Sequence, residues 1–221
     1  MSAQPRSGTP RNLALVLLVQ LRRHCARERV PRHDVVAEAR DLFFARSNLG
    51  PGGGYASRWV RVETKPLPFY FPNCSARVAA ARLHDLHHIA TNYKTDWPGE
   101  AEISAWEIGG GCGHYYAAWI LDLGGWGAGL IVAPRRLFRA FMRGRQAKTN
   151  LYHIGFDENH LDQGTVGGLR DQLGLHMSPT PLALRDVALF SFWSVLAIGS
   201  WCPLPLFALA LFWLIVRARL S

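Results

Sequence analysis

Residues 83–100 read LHDLHHIATNYKTDWPGE, and the rest of the chain reads as the scaffold or the anchor of this stretch. His84, Asp85 and His88 form an H-D-x-x-H cluster, and Glu100 follows after eleven residues. On a helix, His84 and His88 stand four residues apart and share a face, within reach of one ion held between two imidazoles. Asp85 points about a quarter-turn away, so it either bends in as a ligand or orients one from outside. Glu100, brought back by a turn, supplies the carboxylate that imidazoles lack. Two histidines with one or two carboxylates and open positions suit zinc, with iron as the alternative. The expected divalent-metal set, and the expected catalytic set, is His84, Asp85, His88 and Glu100. A polar helix face with satisfied histidines is the competing reading. His87 lies on another face and reads as a bystander. His114, His153, His160 and His176 are scattered singly and read as non-ligands.

Upstream of the cluster, a helix is expected from Ser75, with Val78, Ala79, Leu83 and Leu86 along one stripe. Downstream, Thr95 or Asp96 caps a helix that begins around Pro98–Glu100. Its continuation, AEISAWEIGGGCGHYYAAWILDLGG, is rich in small residues that let helices approach closely, and Gly109–Gly111 predict a kink. Residues 133–148 read APRRLFRAFMRGRQAK, with Leu137, Phe138, Phe141 and Met142 on one side and six positive charges without an acid. Such a segment suits the headgroup layer of an anionic membrane, or else a solvated helix packed on the core. A short helix is expected near Val166–Leu173. Before the cluster, residues 1–11 form a polar lead, a helix covers Asn12 to about Arg29, and Pro31 ends it. A second helix follows from Asp34 through Val35, Ala39, Leu42 and Phe43. LGPGGGYAS, residues 49–57, reads as a connector, because neither a preceding strand nor a GK[ST] supports phosphate binding. Pro66, Pro68 and Pro72 keep the next segment extended.

The 221 residues accommodate one domain and an appendage. A net charge of +9 and a pI near 9.9 attract an anionic membrane. Nucleic acid is excluded as a partner, since no recognition helix, zinc finger or stacking platform appears. Cys25, Cys74, Cys112 and Cys202 are widely separated and read as reduced thiols. From Val187 to Val216 no residue is charged, while Arg185, Asp186, Arg217 and Arg219 flank the run. A straight helix of that length would be ~45 Å against a hydrocarbon core of ~30 Å. Pro203 and Pro205 divide it, so a kinked crossing or a re-entrant hairpin is expected. The fold class is therefore all-α, a helical bundle with a C-terminal membrane-associated helix or helical hairpin. Its parts are a lead at 1–11, a helical metal-binding domain at 12–178 and an anchor at 179–221.

The H-D-x-x-H…Glu motif, with Thr95, Asp96, Gly99 and Glu100 as T-D-x-x-G-E and the later RAFMRGRQAK at Arg139–Lys148, resembles the coenzyme Q biosynthesis protein 4 family. The resemblance runs from about Arg77 to Leu175, and the hydrophobic tail is additional to it. It implies an all-helical protein on the cytoplasmic side of the inner membrane, carrying a divalent metal on His84, Asp85, His88 and Glu100. The implied activity is removal of the ring carboxylate from a polyprenylated hydroxybenzoate-type precursor of ubiquinone, with hydroxylation at the same carbon. The implied partners are the prenylated quinone precursor, membrane lipid, other quinone-biosynthesis enzymes and a second copy of the chain as a homodimer. Trp97, Trp106, Tyr115, Tyr116 and Trp119 then line a groove for the isoprenoid tail, or are plain core. Two rivals remain. One is a non-catalytic lipid-binding scaffold; the other is a membrane di-iron desaturase or hydroxylase, on the H-x-x-H-H spelling of His84, His87 and His88.

Overall fold

The computed structural model describes residues 30–47, 51–62, 69–155, 164–176 and 181–201, with positions 213 and 217. The expected lead, the helix from Asn12, His160, Cys25, Cys202 and the two tail prolines lie outside the described residues. The elements in order are α1 (Val36–Arg46), a 3-10 turn (Pro51–Gly54), β1 (Trp59–Val62), β2 (Phe69–Pro72), α2 (Ser75–Thr91), α3 (Trp97–Gly110), α4 (Tyr116–Val132), α5 (Pro134–Gln146), α6 (Leu151–Ile154), α7 (Val166–Gln172) and α8 (Leu184–Trp201). Helix dominates, as an all-α fold requires. Among the described residues the one sheet is an antiparallel hairpin in which Val60 faces Phe71.

Helix ends were legible where a local group caps them and illegible where a distant one does. Asp96 accepts the Gly99 N–H at 2.8 Å and starts α3, with Pro98 in its first turn. Before it, Asn92 ends α2 in a left-handed conformation, φ 62°, with its N–H on the His88 carbonyl. The helix expected from Asp34 has Val35 as its cap instead, which forms an isolated bridge with Thr165 while Val36 N–H bonds Gly164 O. Backbone from 130 residues away does the work of a capping side chain there, which no local pattern could show. Gly109–Gly111 make a full break rather than a kink. Gly111 sits at φ 86°, Asn150 bonds its carbonyl at 2.7 Å, and α4 starts afresh at Tyr116.

Helix α3 is the centre of the bundle, packed against both α4 and α5. The α3–α5 approach depends on Gly144, where a Cβ would stand 2.1 Å from the Trp106 backbone oxygen. Leu137 and Phe141 of α5 are fully buried beside Trp126 of α4; each such side chain contributes roughly 2–3 kcal/mol by its removal from water. Of the two readings of α5, this supports the helix packed on the core, since its apolar stripe meets α3, α4 and α8. Three of its arginines are likewise engaged: Arg136 with Glu102, Arg145 with Asp186, and Arg143 with the Thr91 carbonyl. A second core cluster lies on the other side of α3, where Ile103, Trp106, Leu86, Ile89 and Leu151 meet.

Helix α8 lies on α4, with Trp193 stacked on Trp119 at 5.1 Å and Phe190 on Trp126 at 5.0 Å. Its outer side leaves Val195 and Ile198 exposed. Among the described residues, no helix is long and apolar enough to cross a membrane.

Candidate metal centre

The Asn92–Asp96 turn folds α3 back along α2, so that Glu100 faces His84 and His88. Their facing atoms form a triangle: Nε2 to Nε2 is 3.1 Å, His84 Nε2 to Glu100 Oε2 is 3.4 Å, and His88 Nε2 to Glu100 Oε1 is 3.6 Å. Ligands ~2.0–2.1 Å from a tetrahedral ion stand about 3.3 Å apart, so these three atoms are already spaced as an ion would hold them. Outer partners orient both rings. His88 Nδ1–H donates to the Tyr93 carbonyl at 3.0 Å, and His84 Nδ1–H donates to Glu107 at 3.0 Å. With each Nδ1 carrying the hydrogen, both Nε2 lone pairs point inward. Two lone pairs 3.1 Å apart repel unless a cation, a proton or a metal ion, lies between them. His88 is buried behind the centre, whereas the Glu100 side chain is 40% exposed. One side of the triangle is thus open to incoming groups.

Behind His84 lies a buried polar network. Glu107, itself fully buried, accepts from His84 Nδ1 and, at 2.6 Å, from His87 Nδ1. His87 Nε2 accepts the Leu151 N–H at 3.0 Å, so this ring is neutral and of one tautomer; burial holds its pKa below the ordinary value. Asp122 joins from α4, accepting from the Cys112 thiol at 3.3 Å. Burial, and next the Glu107 charge, push Asp122 well above the usual carboxylate range. Burial would raise Glu107 and Glu100 too. The neighbouring imidazoles outweigh it, His84 and His87 for Glu107, His88 and His84 for Glu100, and hold both carboxylates below their ordinary value. His84, Glu107 and Asp122 also bring one ligand atom each within reach of a common ion. Glu107 there is already occupied by two imidazole N–H groups, and we read that group as the support of the first.

Of the four expected ligands, three converge and one does not. Asp85 is one residue from His84, about 100° around the helix, and its Oδ2 instead accepts the Tyr55 hydroxyl. Its place is beside the triangle rather than in it. His87 does point away from the ion, but it braces Glu107 and is no bystander. Among the described residues, three further histidines stay apart: His153 bonds the Gly110 carbonyl, His176 pairs with Asp171, and His114 stacks on Tyr115. Glu107 went unread although Glu100 and Glu107 are seven residues, two turns, apart on one face. Asp122 and Tyr55 carry no such signal, because only chain folding brings α4 and the glycine turn to α2. Of the aromatics near the cluster, Trp106 is fully buried, as plain core requires, while Trp97 and Tyr116 are half or more exposed.

The electrostatics make opposite pH profiles for the empty and loaded protein. Burial alone would lower His84, but Glu107 and Glu100 overcome it and raise its pKa well above 6.5. A raised histidine gives stability that is fully present below pH 6.5 and lost as pH rises through the folded value. The depressed Glu100 and Glu107 give stability present above pH 4.5 and lost as pH falls through their folded values. The contribution of these three groups to the metal-free protein is therefore expected to be fully present between pH 4.5 and 6.5, while buried His87 costs stability below 6.5 and buried Asp122 above 3.8. An ion replaces the proton on Nε2, so zinc should raise the melting temperature far more at about pH 8 than at about pH 5. Equal increments at both would contradict this account.

No family model, curated protein or solved structure matches the chain.

Proposed function

We propose that this protein is a metal-dependent enzyme of ubiquinone (coenzyme Q) biosynthesis, of the kind the coenzyme Q biosynthesis protein 4 motif implies. In this reading it removes the ring carboxylate of a polyprenylated hydroxybenzoate-type precursor at the membrane, with hydroxylation at the same carbon. The observation that carries a metal-dependent activity is the His84–His88–Glu100 triangle, open on the Glu100 side. The motif spacing carries the substrate class.

A bound zinc or iron would be a Lewis acid, polarising the substrate carboxylate and stabilising charge that develops as carbon dioxide leaves. The chain's own residues prepare the site. Glu107 and the Tyr93 carbonyl hold the two imidazoles in the ligating tautomer. His88, with Phe43 stacked on it at 5.5 Å, closes the rear against water. Behind that stack a cavity of about 570 Å³ borders His88, lined by Leu42, Phe43, Ile89 and Tyr93, with Arg46 and Lys94 balanced by Asp34 and Asp96; neither His84 nor Glu100 lines it, so the substrate carboxylate would approach from the Glu100 side. In the reaction the ring–carboxylate bond breaks, carbon dioxide leaves, and the electron pair stays on the ring carbon. Dioxygen, a two-electron donor and three protons, all from outside the chain, place the hydroxyl there and release one water.

The apolar outer side of α8, with Ile120 and Ile131 exposed on α4, supports docking on a bilayer through the C-terminal region. The same side would meet partner enzymes or a second copy. In a strain lacking the chain, a carboxylated prenyl precursor should accumulate in the lipid extract. Wild-type protein should clear it and Glu100→Ala should leave it. Full restoration of quinone synthesis by Glu100→Ala would remove the catalytic reading and leave the scaffold.

A further inference from the structure

The glycine turn, which the metal centre does not use, forms one wall of a second cavity on the far side of α2. We propose that this cavity is a binding site for a small organic anion, a carboxylate or phosphate carried on an apolar body. It has a volume of about 340 Å³ and is lined by Arg40 and Phe44 of α1, Gly52 and Tyr55 of the turn, and Arg82 and Leu83 of α2. Ala79, Arg82, Leu83 and Leu86 line it at i, i+3, i+4 and i+7, one helix face. At 100° per residue that face is opposite the one carrying His84 and His88, so the helix body separates this site from the triangle.

Two features point to an anion. Arg40 and Arg82 bring two guanidinium groups to a cavity whose one lining carboxylate is Asp41. The Arg40 Nε is buried without a hydrogen-bond partner, and the Asp41 oxygen stands 4.0 Å from it, beyond bonding distance. A guanidinium N–H without an acceptor is a donor that an incoming oxygen would satisfy once the side chain turns its covered Nε toward the cavity. The Tyr55 hydroxyl is committed to Asp85, so Tyr55 offers the ring, over which the Arg82 guanidinium sits at 5.4 Å. Phe44, Leu83 and Leu86 are buried and give the apolar floor. Gly53, at φ 67°, seats the turn on Phe44: a Cβ there would lie 2.8 Å from its ring. The volume admits a body on the order of fifteen heavy atoms, too few for a dinucleotide.

The test is calorimetric titration of the full chain with phenyl phosphate, with benzoate, and with uncharged benzyl alcohol. At least one of the two anions should saturate a single site, with benzyl alcohol bound about ten-fold more weakly or not at all. Arg40→Gln and Arg82→Gln should each weaken the anion about ten-fold, and the more exposed Arg82 serves should Arg40→Gln fold poorly. His84→Ala should leave anion binding unchanged, which separates this site from the metal reading whatever becomes of the latter. Competition by vesicles containing phosphatidic acid would identify the anion as a lipid head, and indifference to them a soluble one. No saturable binding of either anion, equal binding by the arginine variants, or loss of binding in His84→Ala would overturn the proposal.

Discussion

His84→Ala protein is expected to come through purification without a divalent ion, where wild type retains close to one equivalent. Structural zinc in four-ligand sites is bound by ~10–16 kcal/mol, so one ligand accounts for about 3 kcal/mol and its removal for roughly a 10²-fold loss of affinity. His84 should cost at least that, because its two nitrogens serve two ends: Nε2 faces His88 and Glu100, while Nδ1 holds Glu107. Removing the ring also strips a buried carboxylate of a donor. Glu107→Gln grades the effect. It keeps the volume but weakens the hold on the His84 tautomer, and affinity should fall about 10–100-fold with the stoichiometry still reaching one at high metal. Metal content measured by elemental analysis and affinity by competition with a chromophoric chelator check both. An unchanged metal content in His84→Ala would end the assignment of the triangle as a metal centre.

Gly144→Ala should lower the melting temperature of metal-free protein by roughly 6–12 °C, the equivalent of about 3 kcal/mol in a chain of this size. Alanine is the better helix former by about 1 kcal/mol, so intrinsic propensity predicts the opposite sign. Sterics decide it: the new Cβ would lie 2.1 Å from the Trp106 backbone oxygen, an atom that cannot swing aside. Helices α3 and α5 must then separate, and Leu137 and Phe141 lose part of their burial. Gly124→Ala in α4 is the matched control. Nothing lies within 4 Å of its Cβ, so it should be neutral or slightly stabilising. Similar effects at both positions, read by thermal unfolding, would mean that backbone contact does not hold α5 to α3.

Much of the helical frame could be read from residues whose signals are local. Asp96 with Pro98, and the run Leu83–Leu86 between histidines, are recognisable because cap, turn and periodicity act within four residues. The pair His84 and His88 is legible for the same reason, as is Glu100 once the turn before it is seen. Glu107 was legible in principle, two turns beyond Glu100.

Helical spacing thus sufficed to place two imidazoles and one carboxylate around a common point and to make the chain α-helical. It did not suffice to say which way Asp85 turns, what covers the apolar face of α5, or that Glu107, His87 and Asp122 meet behind His84. Those outcomes depend on how closely α3 approaches α4 and α5, which Gly125 and Gly129 set against Ser104 and Ala101, and Gly109 and Gly144 against the backbone of Phe141 and Trp106. A pattern of residues along one helix reports its own faces; what those faces touch is settled by elements that arrive from elsewhere in the chain.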